Sequence, residues 1–75
     1  MDYKCVSTER VVVKDNRGKD VIIYSGVIYS VKKGYNDFVL VNGRFGGFYK
    51  NGNEYSVVET RFIGKQDCKK YFRYL

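Results

Sequence analysis

Histidine, proline and tryptophan are absent from this 75-residue chain, which holds one methionine and two cysteines. Without histidine there is no imidazole to act as a general base or metal ligand near neutral pH. Two cysteines alone complete neither a structural zinc site nor a dense disulfide framework, and without proline there is no polyproline segment. Carboxylates are scarce as well: eight Asp and Glu face fourteen Lys and Arg, a net charge of +6. Those carboxylates scatter beside turns (Asp15, Asp20, Asp37, Glu54) or alternate with strand residues (Glu59), and no two are spaced as an acid and a base. The expectation is a protein that is not an enzyme and needs no cofactor or metal.

Long hydrophobic runs are also missing. The longest, residues 21–31, is broken by Ser25, Gly26 and Ser30 and falls short of the roughly 20 residues that cross a bilayer. No charged segment followed by an apolar one opens the sequence, so a soluble, cytoplasmic protein without membrane contact is expected. In that compartment Cys5 and Cys68 read as reduced packing residues. The alternative, a bridge between them, would close nearly the whole chain. Cys68, beside Lys69 and Lys70 near a possible helix start, is the one thiol placed for a low pKa, though packing is the preferred role.

What is present is apolar and aromatic. Hydrophobic types make up 44% of the chain, with eight Tyr and five Phe, enough to fold one small domain over residues 1–75. The punctuation is that of a β protein. Residues 15–18 (Asp-Asn-Arg-Gly) form a turn before the apolar residues 21–24, and residues 27–32 alternate with period two. The continuous apolar run 38–41 reads as a central strand buried on both faces. Asn42-Gly43 and Asn51-Gly52 each suit a type I′ turn and together predict three meandering strands at about 37–41, 44–50 and 53–60. Gly46-Gly47 suggests a bulge. Beyond Gly64, Asp67 is placed to cap a short helix with Cys68, Tyr71, Phe72 and Leu75 on one face; a strand is the other reading of this tail.

The segments Tyr3-Lys4-Cys5-Val6, residues 26–31 (Gly-Val-Ile-Tyr-Ser-Val), residues 38–42 (Phe-Val-Leu-Val-Asn), Gly47-Phe48-Tyr49 and Arg61-Phe62-Ile63 together resemble the small SH3-like barrel proteins of bacteriophages. The resemblance spans about residues 3–63 and leaves 64–75 as a C-terminal appendage. It implies an all-β, SH3-like half-open barrel of about five strands. It also implies a phage or mobile-element origin, among accessory proteins some of which bind host proteins.

Gly43-Arg44-Phe45-Gly46 matches the GXXG string of KH domains, but that loop joins helices and this segment lies between strands. The thirteen aromatic rings exceed what a small core holds. Phe38, Tyr29, Phe48 and Phe62 are the expected core rings, leaving much of the tyrosine for the surface. Tyr with Arg is the composition of protein-interface hot spots, and Tyr with Lys and Arg is equally that of a single-strand stacking platform. The partner-binding candidates are Tyr35, Arg44, Tyr49, Lys50, Tyr55 and Arg61, with Lys69, Lys70, Tyr71, Arg73 and Tyr74 in the tail. The expected function is a non-enzymatic module that binds, and modulates or inhibits, a host protein with an acidic surface. Nucleic-acid binding through the same positions is the alternative, and self-association through a sheet edge or the tail is a third reading.

Overall fold

The structure is a computed structural model that describes residues 2–75. Its elements in chain order are β1 (Tyr3–Ser7), β2 (Val11–Lys14), β3 (Asp20–Ile23), β4 (Ile28–Lys32), β5 (Phe38–Phe48), β6 (Glu54–Gly64), α1 (Lys65–Tyr71) and β7 (Phe72–Tyr74). Every pairing is antiparallel, and β5 is the spine. Along one edge it pairs with β6 over its full length, from Phe38 opposite Gly64 to Phe48 opposite Glu54. Its other edge is shared end to end by β4, at residues 40–42, and β3, at residues 45–46. β1 and then β7 extend the sheet beyond β4, and β2 extends it beyond β3. The sheet curls until Asp15, just past β2, bridges Ile63 on β6. The result is the small all-β half-open barrel that the sequence predicts, with seven strands in place of about five.

The core is lined by the inward residues of this curl: Cys5, Val13, Val21, Ile23, Tyr29, Val31, Val41, Phe45, Ile63 and Cys68. Two expectations about it change. The apolar run buried on both faces is Val21, Ile22 and Ile23 in β3, whereas Phe38, Val39 and Leu40 are half-buried. β5 is central by hydrogen bonding, but its outward face is not covered by a second layer. Of the expected core rings, Tyr29 is fully buried, Phe38 and Phe62 are half-buried, and Phe48 is 49% exposed; Phe45 is the second fully buried ring.

That exchange follows from the chain running straight where a turn was expected. Asn42-Gly43 lies inside β5, opposite Thr60 and Glu59, and Asn42 donates from Nδ2 to Oγ1 of Thr60 at 2.8 Å. With no turn there, side-chain alternation carries on through residue 43, placing Phe45 inward and Phe48 outward. Gly43 serves a tertiary purpose instead. A Cβ on it would lie 2.8 Å from Cε1 of Tyr29, so the buried ring occupies the space a side chain would need. Nor is Gly46-Gly47 a bulge, since both residues keep register with Ser56 and Tyr55. The rings of Tyr24 and Tyr55 lie against them, each with Cζ within 2.8 Å of where a Cβ would sit.

Two turns share one design. At residues 15–18 the N–H of Gly18 donates to the carbonyl of Asp15, and at residues 49–52 that of Gly52 donates to Tyr49. Each ends on a glycine at positive φ, 79° and 88°, as in a three-residue hairpin loop rather than a type I′ turn. Asp15 does more than turn the chain. One oxygen, Oδ1, accepts the N–H groups of Arg17 and Lys19 at 2.8 and 2.9 Å, and Oδ2 accepts from Arg61 Nη1 at 3.1 Å. The carboxylate is buried, so these bonds offset its desolvation.

The appendage resolves into both alternatives, helix and then strand. Gly64, not Asp67, is the N-cap of α1, and Asp67 sits in the first turn, where its charge suits the helix dipole. The helix stops because Phe72 is extended, and β7 pairs with β1. Thr8 ties down the helix end, donating to the Tyr71 carbonyl from both its N–H and its Oγ1. Leu75, expected on the apolar helix face, is instead beyond β7 and exposed.

Gly43→Ala is expected to destabilise the fold by about 1–3 kcal/mol, the usual scale of overpacking, read as a lower urea midpoint. An unchanged midpoint would show that the ring is not seated against residue 43. Burial pushes the Asp15 carboxyl up, but the N–H groups of Lys19 and Arg17 and the Arg61 charge outweigh it and hold it below the ordinary carboxylate range. Its contribution is therefore complete above about pH 4 and lost as pH falls through the folded value. Asp15→Asn should lower the melting temperature at neutral pH and flatten its decline in acid; an unaltered acid limb would count against this role.

Candidate interaction faces

The partner-binding candidates do not form one surface. Tyr49 and Lys50 are exposed at the tip of the β5–β6 hairpin, where the Tyr49 and Tyr55 rings meet with centroids 4.9 Å apart. Lys69, Lys70, Tyr71, Arg73 and Tyr74 belong to α1 and β7, at the other end of a hairpin whose eleven-residue strands run roughly 35 Å. Tyr35 precedes β5; its ring packs on Phe62 and Phe38, and its hydroxyl accepts from Asn16 at 2.8 Å. Arg61 is committed within the fold. It holds Glu59 at 2.7 Å and Asp15 at 3.1 Å, with a side chain only 20% exposed, so it closes the barrel mouth rather than presenting a charge.

Strand register identifies a face that residue composition alone did not. Cross-strand partners share a face of the sheet. Outside the barrel these are Val6 beside Ile28; Lys4, Ser30, Asn42 and Thr60 in the next row; Lys32, Leu40 and Phe62 in a third; and Arg44 beside Val58 in a fourth. Ser30, Lys32, Leu40, Asn42 and Thr60 line a shallow groove of about 260 Å³ in its centre. Ile28 and Val58 are 55% and 58% exposed. None of these positions is a carboxylate, and Arg73, paired with Val6, adds a cation at one edge. Exposed apolar residues among unpaired cations would have been legible in the sequence only with the register in hand.

The barrel end beneath α1 holds a second feature, a cavity of about 400 Å³. The buried Cys5 and Cys68 line its depth, and the half-buried Val39, Tyr3 and Phe72, with the exposed Tyr74, line its sides. Lys65, Lys69 and Arg73, all exposed, complete the lining. Phe72 stacks on Tyr29 with centroids 5.0 Å apart, and Tyr3 meets Tyr74 at 4.5 Å. Both cysteines are free and buried. Burial pushes the Cys5 thiol up to about 11 and the Cys68 thiol to about 12, the latter also raised by the nearby Cys5 and Asp67. The low pKa considered for Cys68 is thus reversed, because burial removes the solvent that would stabilise a thiolate.

Among the described residues no group of three or more His, Cys, Asp or Glu is arranged to hold a metal ion. No described helix is long and apolar enough to cross a membrane. Searches against protein-family models, curated proteins and solved structures found no match to the chain.

Both thiols should react with a disulfide reagent at pH 8 at least about a hundredfold more slowly in the native protein than in denaturant. Rapid labelling of native Cys68 would contradict its burial.

Proposed function

We propose that this protein is a non-enzymatic binding module that docks the outer face of its sheet on an acidic surface of a host protein and modulates or inhibits that protein. The observation that carries this reading is the face itself: Lys4, Lys32 and Arg44 interspersed with exposed Ile28 and Val58, with no carboxylate in the four rows they occupy; Glu54, farther along the same face opposite Phe48, is held by Arg10. Apolar residues ringed by charges of one sign supply contact area and electrostatic steering together. A protein partner is favoured over a nucleic acid by the kind of apolar residue exposed. In the four rows the most exposed apolar residues, Ile28 and Val58, are aliphatic and offer no ring for a base to stack on, and the ring among them, Phe62, is half-buried against Tyr35. Many of the tyrosines are already paired with other rings, as Tyr49 is with Tyr55 and Tyr74 with Tyr3. A phage or mobile-element origin, and with it action in a host cytoplasm, rests on the resemblance carried by residues 3–63.

Pull-down from nuclease-treated bacterial lysate, run with the native chain beside Lys32→Glu/Arg44→Glu, tests the proposal. Both residues are exposed, so the variant should fold. An acidic protein retained by the native chain, and bound more than tenfold more weakly by the variant, is the expected result. Equal retention by both proteins sinks the assignment to this face. Micromolar, steeply salt-dependent binding of a single-stranded oligonucleotide, lost in the same variant, would transfer the face to nucleic acid.

A further inference from the structure

The cavity under α1 is separate from the groove on the outer face. Its three layers differ in chemistry. The depth is small and uncharged: Cys5 and Cys68 are 1% and 6% exposed, and with thiols pushed up to about 11 and 12 both remain neutral at physiological pH. Tyr3, Phe72 and Tyr74 make the sides aromatic, and Lys65, Lys69 and Arg73 bring positive charge where the lining meets solvent. Among the described residues no carboxylate lines the cavity. The helix's acidic residue, Asp67, lies against Gly64, its Oδ2 3.6 Å from where a Cβ there would stand.

The space exists because two short side chains meet where core residues usually fill volume. α1 sends a single fully buried residue, Cys68, into the barrel end, and β1 contributes Cys5 opposite Tyr29 and Tyr74. A leucine at either position would occupy much of the depth, since close packing is the norm in protein interiors. At about 400 Å³ the cavity falls in the lower part of the range typical of small-molecule sites, which are mostly apolar with a few placed polar groups.

We propose that this cavity is a binding site for a small amphiphilic monoanion, a flat aromatic or short aliphatic body bearing one carboxylate. The body would lie between Tyr3, Phe72 and Tyr74 over the two thiols, and the carboxylate would meet Lys65 and Lys69. An aromatic body suits the sides best, because rings offset or tilted against Tyr and Phe gain beyond the area they bury. A cationic or neutral ligand of the same shape would leave the lysines without a partner.

Titration of the full chain with sodium 2-naphthoate, followed by amide chemical shifts in ¹H–¹⁵N spectra, tests this directly. Saturable shifts centred on Tyr3, Cys5, Val39, Cys68 and Phe72, with a dissociation constant below about 1 mM, are expected. The neutral 2-naphthamide should bind about tenfold more weakly, the usual worth of a charge-assisted contact. Lys65→Gln/Lys69→Gln, which alters only exposed side chains, should weaken 2-naphthoate by about the same factor and leave 2-naphthamide unchanged. Cys68→Leu should abolish both if it folds, and the lysine variant decides the matter if it does not. Absence of saturable shifts, equal affinity for acid and amide, or shifts centred elsewhere would overturn the site. The outer face is untouched by these substitutions, so either proposal can fail without the other.

Discussion

A buried tyrosine ring organises the barrel. Tyr29 projects inward from β4 and is fully enclosed, tilted against Phe45 at 5.1 Å and stacked on Phe72 at 5.0 Å. Its hydroxyl donates to the carbonyl of Arg44 and so is satisfied without reaching water. These contacts join β4, the middle of β5 and the strand that follows α1, three segments otherwise far apart in sequence. The ring fits only because Gly43 has no side chain. One aromatic residue and one glycine therefore set how sharply β5 is crossed by its neighbours and where the C-terminal segment docks.

The charges divide accordingly. Asp15 and Glu59 are drawn to Arg61 at the barrel mouth, Glu54 to Arg10, and Asp20 to Lys14. Half of the scarce carboxylates are thus neutralised locally, two of them in the junction where β2 approaches β6. The exposed pairs add little stability, but the buried Asp15 must keep its partners because a lone buried charge is far costlier than a surface one. Of the remaining Lys and Arg, Lys4, Lys32 and Arg44 lie on the outer sheet face and Lys65, Lys69 and Lys70 on α1, while Arg17, Lys19, Lys33 and Lys50 lie in the turns and loops. Segregation of this kind turns a diffuse excess of positive charge into two local environments, one broad and flat, the other a small cavity with an apolar depth.

Much of the architecture was legible before any coordinates. Period-two alternation in residues 27–32, the Asp-Asn-Arg-Gly turn and the change of pattern after Gly64 mark the strands, a hairpin and the appendage correctly. The errors share one cause. Asn-Gly at residues 42–43 has the local chemistry of a turn, yet the glycine answers to a ring from β4 and the asparagine to Thr60 across the sheet. Treating it as a turn shifted the parity of everything up to residue 48, exchanging Phe45 for Phe48 in the core. Arg61 failed similarly as a surface candidate, because its partner Asp15 lies 46 residues away. The tail was ambiguous between helix and strand since it contains both in eleven residues.

Composition and pattern by themselves determined an all-β fold, basic and without imidazole, since these follow from residue type and short-range periodicity. Tertiary structure decided what local signals do not encode: which glycines turn the chain and which make room for rings, which cations are paired, and which face each strand residue occupies. Register is the physical reason. A shift of one residue moves every side chain of a strand to the opposite face, and register here is set by Tyr29, Asp15 and the docking of β7, contacts between residues distant in sequence.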